Sequence, residues 1–356
     1  MVVRLAIKNP RLLTTGIAKA LVISACAFAV PYQAAASVCL KGVNLSGAEY
    51  GDRDGVYGTN YRYPSEATIR YFADQGMNVV RLPFRWARLQ RVPGMPLDEQ
   101  ELARLKASVD LIRANGMSIV LDPHDFGYYE DRQIGSQDFP ARFFADFWVR
   151  LAIEFSDQDD VAFGLMNEPY DIQNSVWLAA ANQAIAGIRA TGAENLILVP
   201  GTNWSGITGW WLDMTGGPNA EVMANVKDPA GNFALEVHQY MDIDSSGTHE
   251  TCPNVAGVMD SMERFTQWLD EIDGRAFLGE FGGSKDPECL AGLEKMVGFM
   301  DAHPDRWIGW TYWAAGDWWP ESEGNNIQPT SSGDRPQLGS IMSSGRPGEP
   351  VCLTGY

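Results

Sequence analysis

Eight short β-rich runs alternating with longer amphipathic stretches constrain this 356-residue chain more than any other feature. The runs lie at 42–45, 79–82, 118–122, 161–166, 196–199, 234–237, 276–279 and 307–313. Helical periodicity fills 65–75, 99–115, 141–155, 176–191, 255–272 and 287–301, with a short helix expected near 338–343. Strands that alternate with helices in this way predict an α/β fold with a closed parallel barrel. An open doubly wound sheet is the alternative, but no GxGxxG follows the first run.

Polar residues fall where a core would not choose them. Val79 and Val80 run into Arg81, Leu121 into Asp122, Pro123, His124 and Asp125, and Leu165 and Met166 into Asn167, Glu168 and Pro169. Val237 runs into His238, Gln239 and Tyr240, Gly279 into Glu280, and Tyr312 into Trp313. In a parallel barrel all carboxyl ends of the strands share one mouth, so these groups are expected to meet there.

Glu168 and Glu280 end the fourth and seventh runs and are expected to face each other across that mouth. Two opposed carboxyls suit hydrolysis of a glycosidic bond, one donating a proton to the leaving oxygen and the other attacking the anomeric carbon. Arg81 and Tyr240 would keep Glu280 ionised, and a negative Glu280 would favour a proton on Glu168. Asn167 is placed to hold the sugar hydroxyl beside the reacting carbon, with His124 and His238 around the same ring.

The runs VNLSGAEYG, NVVRLPFRW, LDPHD, LMNEP, GTNWSG, EVHQYMD, GTH, FLGEFGG and GWTYWAAG occur in this order. Together they resemble glycoside hydrolase family 5, in particular its secreted microbial endo-β-1,4-glucanases, from Lys41 to about Gln337. The family's near-universal site residues match Arg81, His124, Asn167, Glu168, His238, Tyr240, Glu280 and Trp313. The resemblance implies a (β/α)8 TIM barrel, retaining hydrolysis, Glu168 as acid and base, Glu280 as nucleophile, and no cofactor.

Aromatic residues bear on the substrate. Indole stacks on the C–H face of a sugar ring, so Trp204, Trp210, Trp211, Trp313, Trp318 and Trp319 are expected to line an open cleft for a β-glucan polysaccharide or oligosaccharide. β-1,4-Glucan is the expected substrate, with mannan, mixed-linkage glucan and xyloglucan as competitors. A non-catalytic glycan-binding barrel is the reading from another class, and it is expected to have lost a carboxylate.

Residues 1–36 hold Arg4, Lys8, Arg11 and Lys19, no acidic residue, and the apolar stretch 20–30, and they end in Ala34, Ala35 and Ala36. This predicts a secretory leader cleaved before Ser37, with lipoprotein processing at Cys26 as the alternative. Residues 37–356 would then form one catalytic domain, carrying 23 basic against 45 acidic residues. So acidic a chain would repel nucleic acid and anionic lipid, and past Val30 no apolar run reaches the roughly 18 residues of a membrane span. A monomer is expected. In an oxidising compartment Cys39, Cys252, Cys289 and Cys352 would pair, with Cys39–Cys352 and Cys252–Cys289 favoured among three possible connectivities. Scattered His residues and the lack of CxxC or HExxH argue against a structural zinc site. The sequons at Asn44 and Asn203 fall at mouth loops, where a glycan would obstruct the site, which favours a bacterial host.

Overall fold

The computed structural model describes residues 37–214, 216–345 and 347. Eight parallel strands close into a barrel: β1 (Leu40–Leu45), β2 (Val79–Phe84), β3 (Ser118–Pro123), β4 (Val161–Gly164), β5 (Ile197–Pro200), β6 (Phe233–His238), β7 (Ala276–Glu280) and β8 (Trp307–Ala315). Each pairs with its neighbour in the chain, and β8 closes on β1 through pairs such as Gly42–Thr311. All eight match runs expected from the sequence, because strands buried on both faces read as continuous apolar β-branched stretches.

The helices are α1 (Glu66–Asp74), α2 (Glu99–Ala114), α3 (Arg142–Phe155), α4 (Asn174–Ala190), α5 (Val255–Ile272), α6 (Pro287–Ala302) and the short α7 (Pro336–Ile341). Their starts follow from capping chemistry. Asp98 Oδ1 accepts from the Glu101 amide at 2.9 Å, and Asp286, followed by Pro287 in the first helical turn, accepts from the Glu288 amide at 2.9 Å. Each helix lays an apolar stripe on the barrel. α3 buries Phe144, Phe147, Trp148, Leu151 and Phe155, a spacing of three and four residues. Trp148 also donates its indole N–H to the Leu165 carbonyl at 3.1 Å, fixing α3 against the chain that leaves β4.

One feature departs from the sequence expectation: a two-stranded hairpin, Tyr128–Tyr129 with Arg132–Gln133, follows β3. Between β5 and β6, where the sequence predicts no helix, the longest helix among the described residues is the four-residue turn Asn219–Val222. Cys252 and Cys289 form the expected disulfide, with Cα atoms 5.0 Å apart, tying the loop after β6 to the first turn of α6. A crosslink of this kind contributes about 2–4 kcal/mol. The expected Cys39–Cys352 bridge ends on Cys352, which lies outside the described residues, as do the leader and Cys26. No helix among the described residues is long and apolar enough to cross a membrane.

Candidate active site

The tube of the barrel is filled in steps of two residues. Leu40, Val79, Val120, Ala162, Leu198, Ala234, Phe277 and Ile308 form an apolar cluster at its foot. Two residues further along seven of these strands, β1 to β7, stand Gly42, Arg81, Asp122, Gly164, Pro200, Glu236 and Gly279. Successive residues of a strand point to opposite faces, so these also point inward, towards the mouth. Gly279 makes room for a charge, since a Cβ there would lie 2.4 Å from Glu236 Oε1, and Gly42 permits the close approach of β2, since a Cβ there would lie 1.8 Å from the Val79 carbonyl oxygen.

Arg81 organises this layer. It is fully buried, and its guanidinium donates to Glu236 Oε1 at 2.8 Å, Asn44 Oδ1 at 2.9 Å, Glu280 Oε1 at 3.0 Å and Asn167 Oδ1 at 2.8 Å. Asp122 Oδ2 lies 3.0 Å from the same guanidinium. Burial would lower the proton affinity of Arg81, but Asp122, Glu236, Glu280 and Glu168 outweigh that and raise it. For Asp122, burial pulls the carboxyl pKa upward, yet Arg81 and His124 together hold it below its ordinary value. A buried charge without partners is costly; here the cation is shared among carboxylates that fix its plane.

Glu280, at the end of β7, has both oxygens held: Oε1 by Arg81 and Oε2 by the Tyr240 hydroxyl at 2.9 Å. Glu168 is held differently. Its Oε1 meets His238 Nδ1 at 2.7 Å, its side chain keeps 16% of its surface in solvent, and its backbone is left-handed, φ 38°. A non-glycine residue in that region carries strain, which persists where its surroundings enforce it and often marks a functional position. Carboxylate oxygens of Glu168 and Glu280, with a ring nitrogen of His238, lie within 4.8 Å of one another.

His238 stands between them. Its Nδ1 is 3.7 Å from Glu280 Oε2, and its Nε2 is 3.5 Å from Glu236 Oε1, a charge contact longer than a good hydrogen bond. Burial would lower its proton affinity, but Glu280, Glu168 and Glu236 overcome this and push its pKa up to about 10. His124 pairs through Nδ1 with Asp122 at 2.8 Å and stacks on Trp313, ring centroids 5.1 Å apart and nearly parallel at 14°. Asn167 gives its oxygen to Arg81, while its buried amide nitrogen has no partner in the protein.

A cavity of about 590 Å³ opens on the Glu168 side, lined among others by Asn203, Trp204, Leu212, Met214, His238, Tyr240 and Ser246. Asn203, Trp204 and Ser205 are consecutively left-handed, with φ of 56°, 54° and 56°, which sets Trp204 outward against Tyr170 in a parallel stack at 5.5 Å. A second opening of about 280 Å³ is lined by Tyr240, Trp313, Trp319 and Asn325 among others. Trp319 meets Trp313 edge-on at 5.7 Å, and Arg62 lies over the Trp318 ring at 5.6 Å.

Several expectations need correction. Trp210 is fully buried, its ring edge-on to Phe265 and Trp268, so it is a core residue that no sugar reaches. Trp211 is covered by the Arg264 guanidinium 3.9 Å from its ring. Arg81, matched among the family's site residues, is sealed beneath the carboxylates, where it holds Glu280 and lines neither opening. The Asn44 sequon cannot carry a glycan in the folded protein, because its side-chain nitrogen is buried and donates to the Gly279, Thr311 and Tyr312 carbonyls. Asp122 is expected at the mouth but without a part in the site, and Asn44 and Glu236 are not among the expected site residues. The signal was present, since Asp122 and Glu236 stand two residues beyond Val120 and Ala234 on inward-facing positions.

Two groups have metal-like spacing among the described residues: Glu168, His238 and Glu280, and Asp242, Asp244 and His249. In the first, both Glu280 oxygens already accept hydrogen bonds, one of them from a cation. In the second, Asp242 accepts from the amides of Gly247, Thr248 and His249 and from the Ser246 hydroxyl, the pattern of a loop organiser.

Residues 33–316 match the family model described as cellulase, glycosyl hydrolase family 5. The endo-β-1,4-glucanase B of Aspergillus niger is 36% identical over 282 residues, 78% of this chain and 82% of that protein. Among solved structures, an endo-β-1,4-glucanase of Xanthomonas axonopodis pv. citri shares 42% identity at a TM-score of 0.84, covering 86% of this chain and 98% of the other. XacCel5A, solved in complex with cellopentaose, matches with the same identity and TM-score over 86% of this chain and 99% of its own. With its closed (β/α)8 barrel and paired glutamates at the mouth, the chain belongs to glycosyl hydrolase family 5, the cellulase family.

Proposed function

We propose that the protein is an endo-β-1,4-glucanase that cleaves internal bonds of β-glucan by double displacement, with Glu280 as nucleophile and Glu168 as acid and base. The observation that carries this reading is the spacing and unlike surroundings of the two glutamates. Retaining glycosidases hold their carboxyls about 5–5.5 Å apart, whereas inverting ones leave about 6.5–9.5 Å for a water. Facing oxygens of Glu168 and Glu280 that approach within 4.8 Å support the closer arrangement, and the unlike surroundings of the two groups assign their roles.

The two oxygens of Glu280 accept from Arg81 and Tyr240, which favours the ionised form that attacks the anomeric carbon. Glu168 has one oxygen fixed by His238 and a partly open side chain, so its other oxygen is free to protonate the glycosidic oxygen. The departing sugar then lies on the Glu168 side, against Trp204, and the reacting sugar over Glu280, beside Trp313. Attack forms an ester on Glu280. Water enters, Glu168 takes its proton, and the sugar leaves with its configuration kept. The unpartnered amide of Asn167 supplies a donor for the hydroxyl next to the reacting carbon. A glycan-binding barrel without catalysis has no use for two carboxylates so differently held.

The glucanase names of the relatives and the cellopentaose bound by XacCel5A support β-1,4-glucan over mannan. We further propose that the chain is exported with removal of 1–36 and acts as a monomer; the first residue of the secreted protein, expected to be Ser37, checks the cleavage. Proton NMR of a cello-oligosaccharide digest tests the chemistry: newly formed β-anomer is expected, and an initial α-anomer would refute retention.

A further inference from the structure

The cavity beside Glu168 is lined by two kinds of residue. Asn203, Ser245 and Ser246 offer the polar groups that suit sugar hydroxyls. Trp204, Leu212 and Met214 offer hydrocarbon. Nine large apolar side chains are exposed among the described residues, and these three, 49%, 56% and 62% exposed, gather at this one opening. Single exposed apolar residues are ordinary, but a group of them around a reactive carboxyl marks a binding surface. Trp204 alone would serve a sugar face. Leu212 and Met214 present no flat ring and no hydrogen-bonding group to a hydroxyl-rich edge, so covering them gains most when the covering group is itself hydrocarbon.

We propose that the leaving-group side of the cleft accepts alcohols with an apolar body, so that the enzyme transfers its glycosyl unit to such alcohols in competition with water. This rests on the double-displacement reading. The alcohol oxygen attacks the anomeric carbon of the Glu280 ester and forms the new C–O bond. The bond from that carbon to the Glu280 oxygen breaks, its electron pair returning to the carboxylate. The hydroxyl proton passes to Glu168. The products are an alkyl β-glycoside, ionised Glu280 and protonated Glu168, and no further reactant is needed. By microscopic reversibility the same apolar wall holds such an alcohol when it is the leaving group.

The test uses cellotetraose as donor with methanol, propanol or pentanol at equal concentration, and mass spectrometry reads the ratio of alkyl glycoside to hydrolysis product. The ratio is expected to rise with each added methylene, up to about fourfold where the methylene is fully covered. In the double variant Leu212→Ser, Met214→Ser that dependence is expected to flatten, and both positions are exposed enough for the variant to fold. A ratio independent of chain length, or a slope unchanged in the double variant, overturns the proposal while methyl glycoside still attests double displacement. Absence of any alkyl glycoside, methyl included, overturns this proposal, whereas an initial α-anomer in the digest overturns the double-displacement reading on which it rests.

Discussion

The foot and the mouth of the barrel tube lie only one strand repeat apart, yet they are built on opposite principles. At the foot Val79, Val120 and Ala234 fill space with hydrocarbon; two residues on, Arg81, Asp122 and Glu236 fill it with charge. The foot stabilises by burial, and each of its side chains can lose a methyl without leaving a neighbour unsatisfied. The mouth is interdependent, because one guanidinium holds Asn44, Asp122, Asn167, Glu236 and Glu280. Stability and function therefore separate along the same strands, and substitutions at the two levels should fail in different ways.

The largest expected effect is at the mouth. Glu280→Gln keeps the shape and removes the charge proposed to attack the sugar; turnover on carboxymethyl-cellulose is expected to fall by roughly 10⁴-fold or more with unfolding unchanged within about 1 kcal/mol. Next comes a matched pair. Arg81→Met leaves several buried carboxylates without their cation and is expected to cost about 3–5 kcal/mol in denaturant unfolding together with activity. Leu198→Ala at the foot should cost a similar 2–5 kcal/mol while kcat of the folded fraction stays near wild type. Equal kinetic losses in the two variants would erase the distinction between the levels.

A smaller effect concerns pH. His238 has its pKa raised to about 10 in the folded protein from an ordinary 6.5. Its contribution to stability is therefore complete below about pH 6.5 and is lost as pH rises through about 10. The melting temperature of the wild type is expected to fall more steeply across that window than that of His238→Asn. His124, raised by Asp122 against the lowering effect of burial, contributes with the same sign. The smallest effect separates two tryptophans. Trp204→Ala should raise KM for cello-oligosaccharides about three- to tenfold with little change in melting, whereas Trp210→Phe should lower melting and leave KM alone.

Much of this was legible in the sequence, and the gaps have physical causes. The strands announce themselves because both faces are buried, and α5 was readable to the residue because Val258, Met262, Phe265 and Leu269 keep a helical period. Glu168 and Glu280 were legible as carboxylates where a core strand ends. Trp210 was misread because proximity to a strand end says nothing of which way a loop residue points, and here the loop turns the ring onto α5 through Phe265 and Trp268. The hairpin after β3 escaped notice because its strands are two residues long. Asp122 and Glu236 looked like neighbours of the site, when the inward period of β3 and β6 makes them its foundation.

Under the proposed double displacement, Glu280 and no other group becomes bonded to the sugar. A cellobioside carrying fluorine at C2 and a good leaving group at C1 slows the second step more than the first, so the ester accumulates; peptide mass spectrometry then locates the added glycosyl mass. That mass is expected on the peptide containing Glu280, and none in Glu280→Gln. Label on the Glu168 peptide, or turnover with no covalent adduct, would contradict that assignment.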